Sequence, residues 1–320
     1  MASVSGKRIV ITGASGFVGR HLISKCLESG IEVIALSRSG TRLPGVTDAR
    51  IDDYRDVAGL TTFCRRADAV VHLAARAHQM QESAEGTDSA YEVANVGSAV
   101  AVATATRLAG VRRFVFVSSI GVNGNSTNGV PFTLNDEPAP VEAYAKSKWR
   151  AEQAVAAELQ EGPTDFVVLR PPLVYGAGCP GNFASLLRLV AKAPIIPLGK
   201  VSSRRTFVYV GNLVDAILTA STHSAASRRT FLIADAQSMS LSEIVRVLAL
   251  GLNRPPWVVV NISVGLLELL GRMTGRSNML RKLTAELIVD ASEFGTSTGW
   301  VPPFAAAYGL EETARAYRGH

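Results

Sequence analysis

Three cysteines, five histidines and 7% aromatic residues are a thin supply of the side chains that staple, ligate or stack. Cys26, Cys64 and Cys179 are odd in number and share no metal-ligand spacing, so no disulfide framework and no metal site is expected. Reduced thiols in a cytoplasm are the natural reading. No uninterrupted apolar run reaches the ~18 residues of a membrane span. The opening Met-Ala-Ser-Val-Ser-Gly-Lys-Arg leads straight into a strand-like run and lacks the layout of a signal peptide. Internal repeats and low-complexity segments are also missing. Net charge is only +6 and the pI is 9.4, with the basic residues scattered rather than gathered in one run. That pattern does not call for nucleic acid; an anionic small ligand, or no partner at all, accounts for it as well.

What is present is material for a core. The chain is 47% hydrophobic and only 19% charged over 320 residues, which predicts a well-cored globular protein of one large or two modest domains. Apolar runs at Arg8–Thr12, Ile31–Leu36, Ala69–Ala75, Arg113–Val117 and Asp165–Arg170 alternate with helical patterns. That rhythm predicts right-handed βαβ crossovers and a Rossmann-like, doubly wound parallel sheet over residues 1–176, with ligands bound beyond the carboxyl ends of the strands. After residue 176 helical segments dominate (183–193, 212–222, 240–252, 263–274, 304–317), with short strands near 206–210 and 229–234. Residues 177–320 are read as a smaller mixed substrate lobe that closes over the cleft, with the chain free to cross back. The apolar stretch Trp257–Leu270 is broken by Asn261, Gly265 and Glu268 and reads as a packed helix, with peripheral membrane contact left open.

Three stretches carry chemistry. Gly13-Ala-Ser-Gly16-Phe-Val-Gly19 stands between a strand and a helix, where glycines allow a tight turn and close approach of backbone to a pyrophosphate. The second strand ends in Ser37-Arg38-Ser39 rather than in the acid that holds a ribose 2′-hydroxyl. A guanidinium there suits a 2′-phosphate, which favours NADP(H), with NAD(H) possible. Tyr144-Ala-Lys-Ser-Lys148 puts a phenol and an ammonium one helical turn apart, on one face. The ammonium, with a bound nicotinamide, is expected to lower the phenol's pKa, so that Tyr144 gives or takes a proton at a sugar oxygen. Ser119, at a strand end, can bond the same oxygen.

Other residues stay open. Asp53 either accepts from an adenine amino group or stands in solvent as a plain charge. His72 lies inside an apolar run and reads as a core histidine, while Arg76 and His78 read as loop residues near the strand end. Asn95, an amide inside an apolar helix, needs partners and is expected to bond backbone near the site. Arg204-Arg205 precede a strand and suit a diphosphate, or form a basic surface loop.

Gly13-x-x-Gly16-Phe-x-Gly19, Ser118-Ser119, Tyr144-x-x-x-Lys148, Arg170-Pro-Pro-Leu-Val-Tyr-Gly176, Arg205-Thr-Phe-Val-Tyr-Val and Gly299-Trp300-Val-Pro302 together resemble the extended short-chain dehydrogenase/reductase family, in its sugar-nucleotide branch of epimerases, dehydratases and reductases. The resemblance covers essentially the whole chain. It implies Ser119, Tyr144 and Lys148 as the catalytic set. It implies cofactor contacts from Gly13, Ser15, Gly16, Phe17, Val18 and Gly19 at the pyrophosphate, Asp53 and Tyr54 at the adenine, and Leu73, Ala74, Ala75, Asn95, Pro171 and Val174 nearer the nicotinamide. Ser119, Asn182, Phe183 and Arg205 would contact a UDP-sugar. No metal is implied, and members are often homodimers. The dehydratases of this family carry Thr-Asp-Glu where this chain has Ser119-Ile-Gly, which removes the carboxyl pair that eliminates water. The wording of these motifs is similar to that of enzymes acting on UDP-4-keto-6-deoxy-N-acetylhexosamine in bacterial surface-polysaccharide synthesis. The expectation is an NADPH-dependent 4-ketoreductase, with an NAD-dependent UDP-hexose 4-epimerase as the alternative.

Overall fold

The structure is a computed structural model that describes residues 6–76, 89–263, 265 and 285–319. Ten short, mostly apolar stretches of the chain's first three quarters build its frame. Strands β1 (Arg8–Thr12), β2 (Glu32–Ser37), β4 (Ala69–His72), β5 (Arg113–Val117) and β6 (Asp165–Arg170) fall where the apolar runs predict them, within a few residues at their ends, and β3 (Thr47–Arg50), a mostly polar edge strand, is added between β2 and β4 in the chain. β7 (Leu173–Tyr175), β8 (Arg204–Arg205) and β9 (Phe207–Tyr209) follow, and β10 (Arg229–Leu232) returns to the main sheet. That sheet is wholly parallel, in the order β10-β6-β5-β4-β1-β2-β3. The order reverses at β1 and β4, so the crevice between their carboxyl ends is where a ligand is expected.

Both faces are covered. Helices α1 (Phe17–Glu28) and α6 (Val210–Thr222) lie over one face, and α2 (Val57–Cys64), α3 (Ser98–Leu108) and α4 (Ala143–Glu158) over the other. Each layer has its own core. Ile9, Ile11, Leu22, Ile23, Leu213 and Ile217 fill the first, and Val10, Leu60, Val70, Val102, Phe114, Phe116 and Val155 the second. Strand residues alternate between the two, as the period of two requires.

Past residue 176 the chain crosses back more than once: α6 covers the sheet, β10 adds its seventh strand, and Phe294 later joins the same core. The remaining elements form a lobe with a separate core. Phe183, Leu186 and Val190 of α5 (Gly181–Lys192) meet Leu241, Ile244 and Leu248 of α7 (Leu241–Gly251) and Leu310 and Ala314 of α9 (Ala306–Arg318). A short helix α8 (Ser292–Thr298), not expected from the sequence, packs Phe294 against Phe231 of β10. β11 (Met239–Ser240) pairs with β8. The helix expected over 263–274 lies almost wholly outside the described residues. The described part of the Trp257–Leu270 stretch is not the packed helix expected: it leaves a 3₁₀ turn at Pro256–Val258 and runs on as non-helical chain to residue 263, with Val259 bridged to Ile196. Among the described residues no helix is long and apolar enough to cross a membrane.

One connection matters for the site. Residues 286–290 bridge the loop after β5 to β8: Phe132 N–H donates to the Ile288 carbonyl at 2.8 Å, and Thr206 N–H to the Leu287 carbonyl at 2.7 Å. Arg205 is thereby fixed to the same strip of backbone that holds the loop leading to Tyr144.

Candidate active site

The glycine turn sits at the carboxyl end of β1, against β4. Gly13 has φ +69°, and a Cβ there would stand 2.7 Å from the Ala74 nitrogen. At Gly19 a Cβ would stand 2.5 Å from the Gly13 carbonyl oxygen. Only bare backbone fits, so helix α1 begins tight against the turn. Its N-cap, Gly16, supplies no side-chain bond to the first N–H groups. Those N–H groups and the positive end of the helix face the crevice, which fits a dinucleotide's pyrophosphate. Leu73 and Ala74 line the turn, while Ser15 lies at its outer edge, its carbonyl accepting from Arg20 Nε at 3.0 Å.

Tyr54 holds the turn from behind. Its hydroxyl donates to the Leu36 carbonyl at 2.8 Å and accepts the Gly13 N–H at 3.0 Å. The hydroxyl thus clamps β2 to the glycine turn. Asp53 is engaged by Arg55, whose Nη2 reaches its Oδ2 at 2.7 Å and whose guanidinium holds the carboxyl below the usual range. Asp52 is paired with Arg50, and Asp48 accepts from the Thr41 and Arg42 N–H groups. Every carboxylate near the end of β2 is thus committed, whereas Arg38 is exposed there.

The reacting end is assembled from β5, α4 and the helix before α3. Ser119 follows β5 and caps a 3₁₀ turn, its Oγ accepting the Gly121 N–H at 3.1 Å. A Cβ on Gly121 would lie 3.3 Å from the Ala145 Cβ, so this turn rests on the first turn of α4, next to Tyr144. Pro171 is tied to the same turn, its carbonyl accepting the Ile120 N–H at 2.9 Å, and Val174 is partly buried three residues on.

Asn95 lies on a π-helical turn, Glu92–Gly97, that interrupts the expected single helix from 89 to 108. Such turns re-aim side chains and recur at functional sites. Here the amide, 1% exposed, bonds both ways: its Oδ1 accepts from the Arg76 N–H at 2.7 Å and its Nδ2 donates to Ser147 Oγ at 2.9 Å. Ser147 donates in turn to the Tyr144 carbonyl at 2.7 Å. The backbone partner expected for Asn95 is thus Arg76, and the amide braces the Tyr144 turn. Tyr91, just before the π turn, brings its ring to 6.3 Å from that of Tyr144. Neither Tyr91 nor Ser147 stood out in the sequence, although Ser147 lies inside the Tyr-Ala-Lys-Ser-Lys run.

Lys148 is buried, with Nζ 4.3 Å from the centre of the Phe116 ring. Burial pushes its pKa down to about 7, against an opposing pull from Glu152. Burial, with Tyr91 adding to it, pushes the Tyr144 phenol up to about 12. The expected lowering of the phenol is not met in the protein alone, because burial disfavours the phenolate.

His72 is the core histidine expected, with Nδ1 at 2.8 Å from Thr12 Oγ1 and its ring stacked on Phe116 at 5.7 Å. Phe183 is a core residue too. It is 2% exposed and its ring stacks on Tyr175 at 5.1 Å. Asn182 beside it is exposed. Arg205 is partly buried, and burial lowers its pKa. Ala75 and Arg76 are described, whereas His78 lies outside the described residues. No group of acidic, histidine or cysteine side chains among the described residues suits a metal.

Asn123, just past the Ser119 turn, is structural. Its Oδ1 accepts from Arg170 Nη1 at 3.0 Å, and its Nδ2 donates to the Thr133 carbonyl at 3.1 Å. At positions 120 and 121 isoleucine and glycine leave no acid beside Ser119.

The sequence matches the NAD dependent epimerase/dehydratase family over residues 9–234. The chain belongs to this family. It is 36% identical to the UDP-glucose 4-epimerase of Vibrio cholerae over 317 residues, 97% of this chain and 95% of that one. It is 27% identical to the N-acetyl-alpha-D-glucosaminyl-diphospho-ditrans,octacis-undecaprenol 4-epimerase of Escherichia coli O157:H7, over 95% of this chain and 93% of that one. The fold is shared with the UDP-N-acetylglucosamine 4-epimerase of Bacillus cereus, at a TM-score of 0.78 and 18% identity over 98% of this chain and 100% of that one.

Proposed function

We propose that this enzyme reduces the C4 ketone of a UDP-4-keto-6-deoxy-N-acetylhexosamine with NADPH, in the synthesis of bacterial surface-polysaccharide precursors. The observation that carries this reading is Arg38: exposed at the end of β2, with the carboxylates beside it held by other groups, it is set to pair with a 2′-phosphate, and a reductase consumes NADPH where a 4-epimerase recycles bound NAD. Tyr144, on a turn of α4 that rests against the Ser119 turn, would give its proton to the ketone oxygen.

Bound NADPH would supply the hydride. The glycine turn and the start of α1 would hold its pyrophosphate, Arg38 its 2′-phosphate, and Lys148 its nicotinamide ribose. Ser119 Oγ would orient the ketone oxygen and share its developing charge. Tyr144 would then protonate that oxygen. Pro171 and Val174 would wall the nicotinamide side, and Arg205 and Asn182 would meet the diphosphate and nucleotide of the substrate. Arg38 supports NADPH because the carboxylates nearby are already engaged.

A second reading, an NAD-dependent UDP-hexose 4-epimerase, is supported by the Vibrio and Escherichia relatives, both named as 4-epimerases. One experiment separates the two: NADPH or NADH absorbance is followed with UDP-4-keto-6-deoxy-N-acetylglucosamine as substrate. Stoichiometric loss of NADPH is expected. Without such loss, interconversion of UDP-N-acetylglucosamine and UDP-N-acetylgalactosamine with no added cofactor would make the enzyme an epimerase and sink the Arg38 argument.

A further inference from the structure

Two buried polar atoms on one face of the sheet have no hydrogen-bond partner among the described residues: His72 Nε2 and Ser118 Oγ. Their residues are 0% and 4% exposed. Orphaned polar atoms this deep are rare, because each loses its water without replacing it. Ser118 lies two residues beyond Phe116, so strand alternation turns both toward α3 and α4. His72 is paired in register with Phe116 on the neighbouring strand. Phe116 is also the ring on which Lys148 Nζ rests, at 4.3 Å, and His72 stacks on it at 5.7 Å. Lys148, on the same face of α4 as core residues Ala151 and Val155, makes no ion pair among the described residues.

We propose that Ser118 and His72 are positioning residues that hold a buried water against the ammonium of Lys148. The water accepts from Lys148 Nζ and exchanges hydrogen bonds with Ser118 Oγ and His72 Nε2, three partners of the kind a buried water typically has. His72 Nδ1 is already spent on Thr12 Oγ1, which also receives the Ala74 N–H at 3.4 Å. Thr12 immediately precedes Gly13. One row of contacts therefore runs from the glycine turn, through His72 and the water, to the catalytic lysine. The role keeps Lys148 charged in a site with no carboxylate of its own to hold it. The other ionisable groups around Lys148 are Tyr144 on its own helix, Tyr91 across from it, and Glu152, which Arg170 occupies.

This inference rests on the reading that Lys148 serves Tyr144, but its test does not need turnover. Lys148 is titrated in the ligand-free enzyme by NMR of ε-¹³C-labelled lysine. Removing the water's anchors should strip the ammonium of solvation. Ser118→Ala and His72→Phe should each move the Lys148 midpoint down by about half a unit or more, roughly threefold in its protonation ratio. Ser118→Thr, which keeps the hydroxyl, should restore it. If His72→Phe fails to fold, Ser118→Ala decides alone. A midpoint unchanged in folded Ser118→Ala overturns the proposal. So does a high-resolution crystal structure with no ordered water between Lys148 and the two atoms. A shifted Lys148 in an enzyme inactive on every keto-sugar would sink the reductase reading and leave this one standing.

Discussion

Helix α4 carries two buried charged residues one turn apart, Lys148 and Glu152, and their surroundings differ. Glu152 is 4% exposed and saturated: Arg170 reaches it with Nε at 3.0 Å and Nη2 at 2.6 Å, while Asn123 takes the remaining Arg170 Nη1. Lys148 is 2% exposed and rests on the face of an aromatic ring. The first arrangement gives each guanidinium nitrogen a partner and the carboxylate a matching cation, so it fixes β6 to α4. The second leaves an ammonium with its pKa pulled to about 7 and its bonding capacity available. Both charges cost desolvation; only one is compensated within the protein. The contrast separates a group that builds the fold from one whose partner arrives with the reaction.

The largest effect should come from the reacting end. Tyr144→Phe removes the proton donor and leaves Lys148 and the Ser119 turn in place. Turnover should fall by roughly 10²- to 10⁴-fold, the usual worth of a placed general acid. NADPH binding by calorimetry and the melting temperature should change little. Near-normal turnover would show that Tyr144 is not the proton carrier.

The next pair of substitutions sets the two charges against each other. Glu152→Gln leaves Arg170 buried without its counter-charge and should cost about 3–5 kcal/mol in a denaturant melt. Lys148→Met should cost turnover but not stability. The pH dependence sharpens this. Lys148 sits at about 7 in the fold against an ordinary 10.5, so above pH 7 the unfolded chain holds the proton more tightly. Wild-type stability should therefore rise with pH by up to about 1.4 kcal/mol per unit. The rise should continue to about pH 9, where Cys26 and Cys64, pushed up to about 12 by burial, start to pull the other way. In Lys148→Met the rise between pH 7 and 9 should be gone. The same slope in both proteins would mean that Lys148 is not the uncompensated charge.

The sequence made one of these two sites far plainer than the other. Strand ends, the glycine turn and the Tyr144–Lys148 spacing were legible because each follows from a local rule: apolar runs, backbone that must approach closely, a four-residue repeat. The Arg170–Glu152–Asn123 knot was not, since its members lie far apart in sequence and meet only when α4 docks on β6. The π turn at Glu92–Gly97 was hidden for a related reason, because its alanine- and valine-rich residues fit an ordinary helix equally well. Phe183 shows the same limit: the resemblance marks its position, but only the assembled lobe shows its ring packed on Tyr175 and Phe207. Burial of Tyr144 reversed the expected sign of its shift, and burial is a property of the assembled fold that no spacing encodes.

The smallest effect belongs to the cofactor's far end, where charges stand in solvent. Arg38 is exposed at the end of β2, and its neighbours Asp48, Asp52 and Asp53 are each held by other groups. A guanidinium in that setting has no competing carboxylate, so a 2′-phosphate is the anion it can pair with; screening by water limits what the pair is worth. Arg38→Ala should weaken NADPH by about tenfold, near the 1.4 kcal/mol of a modest charged contact, and leave NADH almost unchanged. Titrating both cofactors into wild type and variant, at low and high salt, reads the ratio directly. A ratio that stays constant would place the 2′-position away from Arg38, and with it would go the preference for NADPH that distinguishes reductase from epimerase. A ratio that collapses only at low salt would keep Arg38 in contact but reduce its role to a screened surface charge, the reverse of the buried, unscreened charge at Lys148.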